Sequence, residues 1–209
     1  MSAPLVPLER ILTSRLSPVT VSALSTYPTI GILNSGRGVF QQPELQGSKT
    51  SYKKLFQVHD GQVLYSKLKA FEGSIAIVPK KFDGYFVSSE FPAFDVHGVW
   101  PSFLKHILQS EQFTLQMRQA SHGLGARRER MHPRDFLQIK IPLPPLAEQR
   151  AIAARLDARA DFAVHSMTVA SSTEASSMSI RHGLFEQTYD TIRVGKLITQ
   201  TTRFEAASP

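Results

Sequence analysis

Lysine and arginine side chains are concentrated in two stretches of the sequence, and cations at this density are suited to neutralising phosphates. Residues 34–81 contain eight basic residues against three acidic ones, a local charge of +5. Residues 118–140 contain six against two, a local charge of +4. The whole chain carries +7. Such an excess attracts polyanions, and nucleic acid is the first candidate.

Sequence-specific binding to DNA needs cations on phosphates and other side chains on base edges. The phosphate candidates are Lys49, Lys53, Lys54, Lys67, Lys69, Lys80 and Lys81. The base-reading candidates lie on three loops: Ser35, Arg37, Gln41 and Gln42; then Lys67, Lys69 and Phe71; then Arg127, Arg128 and Arg130. Glycines flank Arg37, so the backbone there could approach a phosphate closely. For any single residue, a solvated surface charge is the alternative interpretation.

The sequence lacks the residue patterns of common catalytic sites. It contains no cysteine and no His-Glu-x-x-His pair that would hold zinc. Gly36-Arg37-Gly38 and Gly123-Leu124-Gly125 do not complete a Gly-x-Gly-x-x-Gly cofactor loop. The only Pro-Pro pair is flanked by leucines, not by the Asn and Tyr of an adenine methyltransferase motif. We therefore expect no catalysis, metal or cofactor, with a nuclease of unrecognised site as an alternative.

Composition predicts a folded protein of the cytoplasm. Apolar residues make up 42% of the 209 residues, enough for one globular core and an appendage. A chain without cysteine forms no disulfides, which suits a reducing compartment. No run approaches about 20 apolar residues, and the first residues lack the basic-then-apolar order of a secretory signal.

The first two-thirds of the chain reads mainly as β-strands. Segments rich in Val, Ile, Phe and Tyr alternate with turn residues such as Asp60-Gly61 and Asp83-Gly84. The predicted strands are 27–33, 38–40, 54–58, 62–68, 74–79, 84–96 and 136–143. Helices are predicted at 100–110 and 110–121, the first with Pro101 early, where a missing N–H costs little. The fold class is therefore α+β, with a mixed or antiparallel β-rich globular domain.

A proline-rich connector, Ile-Pro-Leu-Pro-Pro-Leu at 141–146, precedes a long predicted helix. Proline is tolerated in a first helical turn, and Glu148 would meet the positive end of the helix dipole. The apolar stripe along this helix is narrow, which favours one partner helix in a coiled-coil-type seam over burial in a core. Its seam candidates are Ile152, Leu156, Ala163, Met167 and Ala170. Packing on its own domain is the alternative.

These segments resemble, in order, the specificity (S) subunits of type I restriction–modification systems. IPLPPLAEQRAIAARLD (141–157) resembles the connector that ends a target recognition domain of this family and opens a long helix. GILNSGRGVF (31–40) resembles its early glycine turn, and HDGQVLYSKLKAFEGSIAIV (59–78) resembles its strand pair. GYFVSSEFPAFDV (84–96) and SHGLGARRERMHPRDFLQIKIPLPPL (121–146) continue the match, which runs over roughly residues 5–186.

The resemblance implies a non-catalytic subunit that recognises DNA. S subunits normally carry two recognition domains, each reading one half of a split site, and two antiparallel helices that act as a ruler. Those helices also dock methyltransferase (M) subunits, through which the restriction (R) subunit joins. This chain has one recognition domain and one helix, so it is either a natural half-subunit or a truncated piece. A homodimer through the helix would read a split inverted repeat.

The predicted organisation has three parts: a DNA target recognition domain at 1–143, a spacer and dimerisation helix at 144–188, and a tail at 189–209. The tail contains IRVGKLIT, which is similar to PLERILT at 7–13 and would begin a second repeat. A protein–protein scaffold with a basic surface is the alternative function from another class. It would bind DNA without sequence preference, or not at all.

Overall fold

The computed structural model describes residues 3–121 and 130–173, which form an antiparallel β-rich domain with α-helices. The strands are β1 Leu5–Pro7, β2 Leu12–Ser14, β3 Pro18–Thr20, β4 Thr26–Tyr27, β5 Ile30–Ile32, β6 Val39–Gln41, β7 Leu45–Gln46, β8 Lys54–Gln57, β9 Val63–Tyr65, β10 Ile75–Ile77, β11 Phe86–Val87, β12 Ala93–Val96 and β13 Lys140–Pro142. The helices are α1 Pro101–Leu108, α2 Glu111–Ala120, α3 Pro133–Leu137 and α4 Leu146–Thr173. Within these ranges no helix combines the length and apolarity needed to span a bilayer.

The central sheet has the strand order β10-β9-β12-β2, and every pair in it is antiparallel. Its inner strand β9 is buried on both faces. Val63 and Tyr65 pack into one core, and Leu64, between them, packs into another. Successive side chains on a strand point to opposite faces, so this one strand separates two apolar layers. A three-stranded sheet, β11-β8-β3, and three two-stranded ladders complete the β structure of the described residues.

The larger core lies between the central sheet and the helices. The rings of Tyr65, Phe94 and Phe136 stack at its centre, with centroids of Tyr65 and Phe136 4.4 Å apart and those of Phe94 and Phe136 5.3 Å apart. Aromatic pairs in this range contribute beyond the area they bury. Phe103 and Leu104 of α1 add to the same core. The smaller core, on the other face, contains residues of β5, β9, β10 and β11.

Three predicted strands have different structures in the fold. The segment 27–33 is divided between β4 and β5, which belong to separate ladders. The segment 84–96 forms two short strands because the chain turns between them, with the N–H of Phe91 donating to the carbonyl of Ser88. The segment 136–143 contributes only β13, because α3 occupies its first residues. Pro133 stands at the start of α3, where its missing N–H is no loss.

Helix α4 begins at Leu146, and its first turns pack on the domain itself. Ala153 is 1% exposed and Leu156 is 7% exposed, both within the larger core, and the half-buried Ile152 packs against it. For Leu156 and Ile152 the structure therefore favours the alternative interpretation, in which the helix packs on its own domain. The boundary predicted between the recognition domain (1–143) and the spacer helix (144–188) therefore separates residues that belong to one core. The other seam candidates, Ala163, Met167 and Ala170, fall within α4, but their side chains lie outside what the structure describes, as does the predicted tail 189–209.

We predict that Leu156→Ala lowers the free energy of unfolding by about 2–4 kcal/mol, because it leaves a cavity between α1 and α4. Urea denaturation measures this change. Leu16→Ala, at a side chain that is 61% exposed between β2 and β3, is the control and should change stability by less than about 0.5 kcal/mol. Dissociation of an oligomer by Leu156→Ala at unchanged unfolding midpoint would contradict the core role.

Candidate nucleic-acid interface

Two of the three predicted DNA-reading loops are joined by backbone hydrogen bonds. The N–H of Ser35 donates to the carbonyl of Glu72, and the N–H of Gly36 donates to the carbonyl of Gly73, each at 2.9 Å. Asn34 reinforces the contact: its side-chain amide donates to the Glu72 carboxylate and its amide oxygen accepts from Ser74 Oγ at 2.7 Å. The turn 34–38 and the segment 67–74 therefore form a single surface.

The shape of the turn 34–38 depends on its glycine. Ser35 and Gly36 both have left-handed backbone conformations, with φ of 57° and 62°, and such positions favour glycine. Gly36 also lies against α1, since its carbonyl accepts from the side-chain amide of Gln109 at 2.8 Å. A Cβ at Gly36 would stand 3.0 Å from the Gln109 Cα. The turn is thus held by both the central sheet and the helices.

The third predicted loop ends beside the second. The N–H of Met131 donates to the carbonyl of Lys67 at 3.1 Å, and the Tyr65 hydroxyl donates to the carbonyl of Met131 at 3.1 Å. Arg130 forms an ion pair with Glu90 at 3.3 Å. Arg127 and Arg128 lie outside the described residues. We call the surface formed by residues 34–38, 67–74 and 130–131 the loop cluster.

Within the loop cluster the predicted residues differ in how free they are to reach a ligand. Arg37 and Lys69 are exposed, whereas Lys67 is half-buried and its Nζ donates to the carbonyl of Ser89 at 2.7 Å. Phe71 is also half-buried. Its carbonyl accepts from Nε of Arg118 at 3.4 Å. Arg118 is one of the basic residues of 118–140 but is not among the predicted DNA contacts. Its position beside residues 67–74 results from the packing of α2, which the sequence does not show.

The two predicted glutamines do not share a face. Gln41 is in β6 opposite Ile30, and Gln42 is the next residue, so their side chains point to opposite sides of the ladder. The side chains of Phe40 and Gln42 lie over Gly31: a Cβ at Gly31 would be 2.7 Å from the Phe40 ring and 2.8 Å from Gln42 Nε2. The side chains of Gln41 and Gln42 are therefore not presented to the same side, and their role as base-reading residues stays a prediction.

The remaining predicted lysines lie away from the loop cluster. The β9–β10 hairpin has residues 67–74 at one end and Lys80 and Lys81 beyond its other end. Lys53 and Lys54 adjoin β3, where the N–H of Val21 donates to the carbonyl of Lys53, and Lys49 follows β7. Lys49, Lys53 and Lys54 are therefore at the end of the β4–β7 ladder, and the turn 34–38 is beyond its opposite end. The seven predicted phosphate contacts thus fall into three separate places.

A joint between α1 and α4 sets the direction of the long helix relative to the domain. Gln149, 1% exposed, accepts from the N–H of Trp100 at 2.8 Å and donates to the carbonyl of Pro144 at 2.7 Å. Asp157, two turns further along, accepts from Ser102 Oγ at 2.7 Å and contacts His106 Nε2 at 2.8 Å. The connector prolines therefore act together with side chains that anchor two points of α4.

The pKa of Asp157 is lowered by this joint. The hydrogen bond from Ser102 is the largest cause; partial burial acts in the opposite direction, and His106 and Lys105 add to the lowering.

Among the described residues, no group of three His, Asp or Glu side chains is placed to hold a metal ion. A cleft of about 320 Å³ lies between Asp60, Gln62, Asp95 and α1. Its two carboxylates make it unsuited to a polyanion.

Comparison with known families identifies the chain. The family model described as "Type I restriction modification DNA specificity domain" matches residues 23–167. The protein belongs to this family. The resemblance found in the connector and strand motifs is thereby confirmed, and membership of a DNA specificity family supports the prediction that the chain is not an enzyme. A comparison with curated proteins finds no match.

Solved structures of specificity subunits share the fold. The HsdS subunit from Thermoanaerobacter tengcongensis matches with a TM-score of 0.66 at 22% identity, over 81% of this chain and 45% of that one. A chain from a study of complex assembly and conformational transition of the type I R-M system matches with 0.65 at 22%, over 83% and 47%. The S subunit from M. genitalium matches with 0.50 at 11%, over 80% and 44%. The specificity-domain chain thus spans less than half the length of these structures.

We predict that Asp157→Asn reduces the loss of stability at acid pH. A lowered pKa in the folded state stabilises the fold above the ordinary aspartate pKa of about 3.9, and this stabilisation is lost as pH falls through the lowered value. Urea midpoints measured across the acid range test this. Asp161→Asn, which removes a charge from the same helix but not the bond to Ser102, is the control. A wild-type profile unchanged by Asp157→Asn but flattened by Asp161→Asn would contradict the assignment.

Proposed function

We propose that this specificity-domain chain binds double-stranded DNA sequence-specifically as part of a type I restriction–modification complex, and that it reads one half of a bipartite site. The observation that carries the proposal is the loop cluster. Two loops distant in sequence are joined by backbone hydrogen bonds, Arg130 at the end of the third lies beside the second, and the chain belongs to a DNA specificity family. Sequence-specific binding requires cations for phosphates together with side chains for base edges, and joined loops bring such side chains together.

Arg37 is the residue of the loop cluster best suited to reading a base. Its side chain is exposed, and its Nε donates to the carbonyl of Asn34 at 3.1 Å, which restrains the guanidinium beside the turn. An arginine held in this way loses little freedom on binding, and its planar fork matches the N7 and O6 acceptors of guanine. Lys69 forms an ion pair with Glu72, and Arg130 forms one with Glu90. The two cations could bind phosphates, or bind the G·C base pairs next to the guanine that Arg37 reads.

The role proposed for α4 is to join this recognition domain to partners. Its 28 residues give a length of about 42 Å, and its first turns pack on the domain. Phe162, further along the helix, is 75% exposed. We infer that a second copy of the chain pairs with α4 beyond Leu156, with Ala163, Met167 and Ala170 as seam candidates. Docking of methyltransferase subunits, and through them the restriction subunit, belongs to the same proposal, as does a cytoplasmic location.

Selection of bound sequences from a random DNA pool tests the proposal. The purified full chain is used alone and with a cognate methyltransferase subunit. A paired inverted repeat would support a dimer that reads two half-sites, and a single short site would support one reading domain acting alone. The absence of any enriched sequence under both conditions would overturn the proposal in favour of the scaffold.

We predict that Arg37→Ala combined with Lys69→Ala weakens binding to the selected site and lowers the slope of log affinity against log salt by about two, one for each lost cation. Fluorescence anisotropy over a salt series measures both effects. Lys80→Ala with Lys81→Ala removes the same charge at the opposite end of the β9–β10 hairpin and should have the smaller effect. The reverse order of effects would place the interface at the Lys80 end.

A further inference from the structure

A tight turn at residues 21–25 presents one leucine entirely to solvent. Leu24 is 99% exposed, although the turn that carries it is held at several points. The N–H of Ser22 donates to the Tyr27 hydroxyl at 2.8 Å, and the N–H of Ser25 donates to the carbonyl of Ser22 at 3.1 Å. Because the turn is held internally, the leucine side chain projects without contributing to the core.

A neighbouring segment braces the same turn. The N–H of Gly47 donates to the carbonyl of Ser25 at 2.9 Å, and a Cβ at Gly47 would stand 1.9 Å from the carbonyl oxygen of Ser22. Only glycine permits so close an approach. On the other side, the N–H of Val21 donates to the carbonyl of Lys53 at 3.1 Å. The turn is therefore a fixed projection between two strands.

The segments bonded to this turn carry unpaired cations. Lys49, Lys53 and Lys54 are exposed, and none of the ion pairs among the described residues involves them. They differ in this from Lys69 and Arg130 of the loop cluster, each of which has an acidic partner. A single exposed leucine is common on protein surfaces. An exposed leucine on a turn whose bonded segments carry three unpaired lysines has the chemistry of a contact with a polyanion that also offers an apolar surface.

We propose that Leu24 is a wedge that enters the DNA minor groove and partly unstacks one base step, while Lys49, Lys53 and Lys54 bind the adjacent phosphates. Apolar side chains, leucine among them, act in this way in proteins that kink DNA. The tip has the sequence Ser-Ala-Leu-Ser, and its small neighbours to Leu24 suit a groove only about 6 Å wide. This inference rests on the proposed binding of DNA and adds a second contact to it.

The distance between the two contacts fits one duplex. The turn at 21–25 and the loop cluster lie at opposite ends of the β4–β7 and β5–β6 ladders. Seven residues, 26–32, join them, which spans no more than about 23 Å of extended chain. A major groove and the minor groove next to it on the same side of B-DNA are half a turn apart, about 17 Å. The loop cluster can thus occupy the major groove while Leu24 reaches the minor groove.

Leu24→Ser tests the wedge without disturbing the fold, because the side chain makes no core contact. The full chain is mixed with the duplex enriched by selection, with 2-aminopurine placed at each base step in turn to report unstacking. Wild type should raise the fluorescence at one step, and Leu24→Ser should abolish this rise. We expect Leu24→Ser to weaken affinity about tenfold, the scale set by burial of one leucine side chain.

Two further variants make the result specific. Leu24→Met keeps a long apolar side chain and should preserve both the fluorescence rise and the affinity. Leu16→Ser changes another exposed leucine, 61% exposed between β2 and β3, and should leave both unchanged. Replacing Lys49, Lys53 and Lys54 together by Ala should lower the salt slope by about three.

Each failure has its own signature. If wild type binds its selected site and Leu24→Ser matches it in fluorescence and affinity, the wedge is wrong and the proposed function stands. If wild type enriches no sequence, both fail together. If Leu24→Ser abolishes binding to vesicles containing anionic phosphatidylserine but leaves DNA binding intact, the turn contacts a lipid surface and the wedge is wrong.

Discussion

The burial of β9 on both faces is the constraint on which the rest of this domain depends. Tyr65, at the end of β9, packs its ring on Phe136 of α3 and Phe94 of β12, while its hydroxyl donates to the carbonyl of Met131. Burial raises the pKa of this hydroxyl, so it stays a neutral donor. The side chain of Tyr65 thereby connects the central sheet, helix α3 and Met131, the residue that follows the third loop. Lys67, two residues later, begins the second loop on the same support.

Two loops of the loop cluster are held together by backbone hydrogen bonds and by the side chain of Asn34. Backbone bonds from Ser35 and Gly36 to the segment 67–74, with Asn34 between Glu72 and Ser74, fix the relative position of two loops. Exposed ion pairs contribute little to stability. The ion pairs of Lys69 with Glu72 and of Arg130 with Glu90 therefore matter more for the direction of the two cations than for the stability of the fold.

The position of the long helix is decided by a few polar contacts at its first turns. The connector prolines restrict the path into α4, but Gln149 connects it to both Trp100 and Pro144, and Asp157 connects it to α1. Replacing any one of these would leave a polar group in a partly buried joint without its partner, which is unfavourable. The start of the helix is therefore fixed to the domain by polar contacts as well as by the apolar packing of Ala153 and Leu156.

The amino-acid sequence by itself determined the family, the β-rich domain with helices and the start of the long helix near Leu146. It could do so because these depend on local properties: strand-forming residues between turn residues, a proline before a helical segment, and motifs in a fixed order. Only the tertiary structure decided which side Ile152 and Leu156 face, that Gln41 and Gln42 point apart, and that Lys80 and Lys81 lie away from Lys69. An apolar stripe is the same in the sequence whether α1 or another chain covers it. The neighbours of a loop depend on strand pairing between residues far apart in the chain, and that pairing is set by the packing of the whole core.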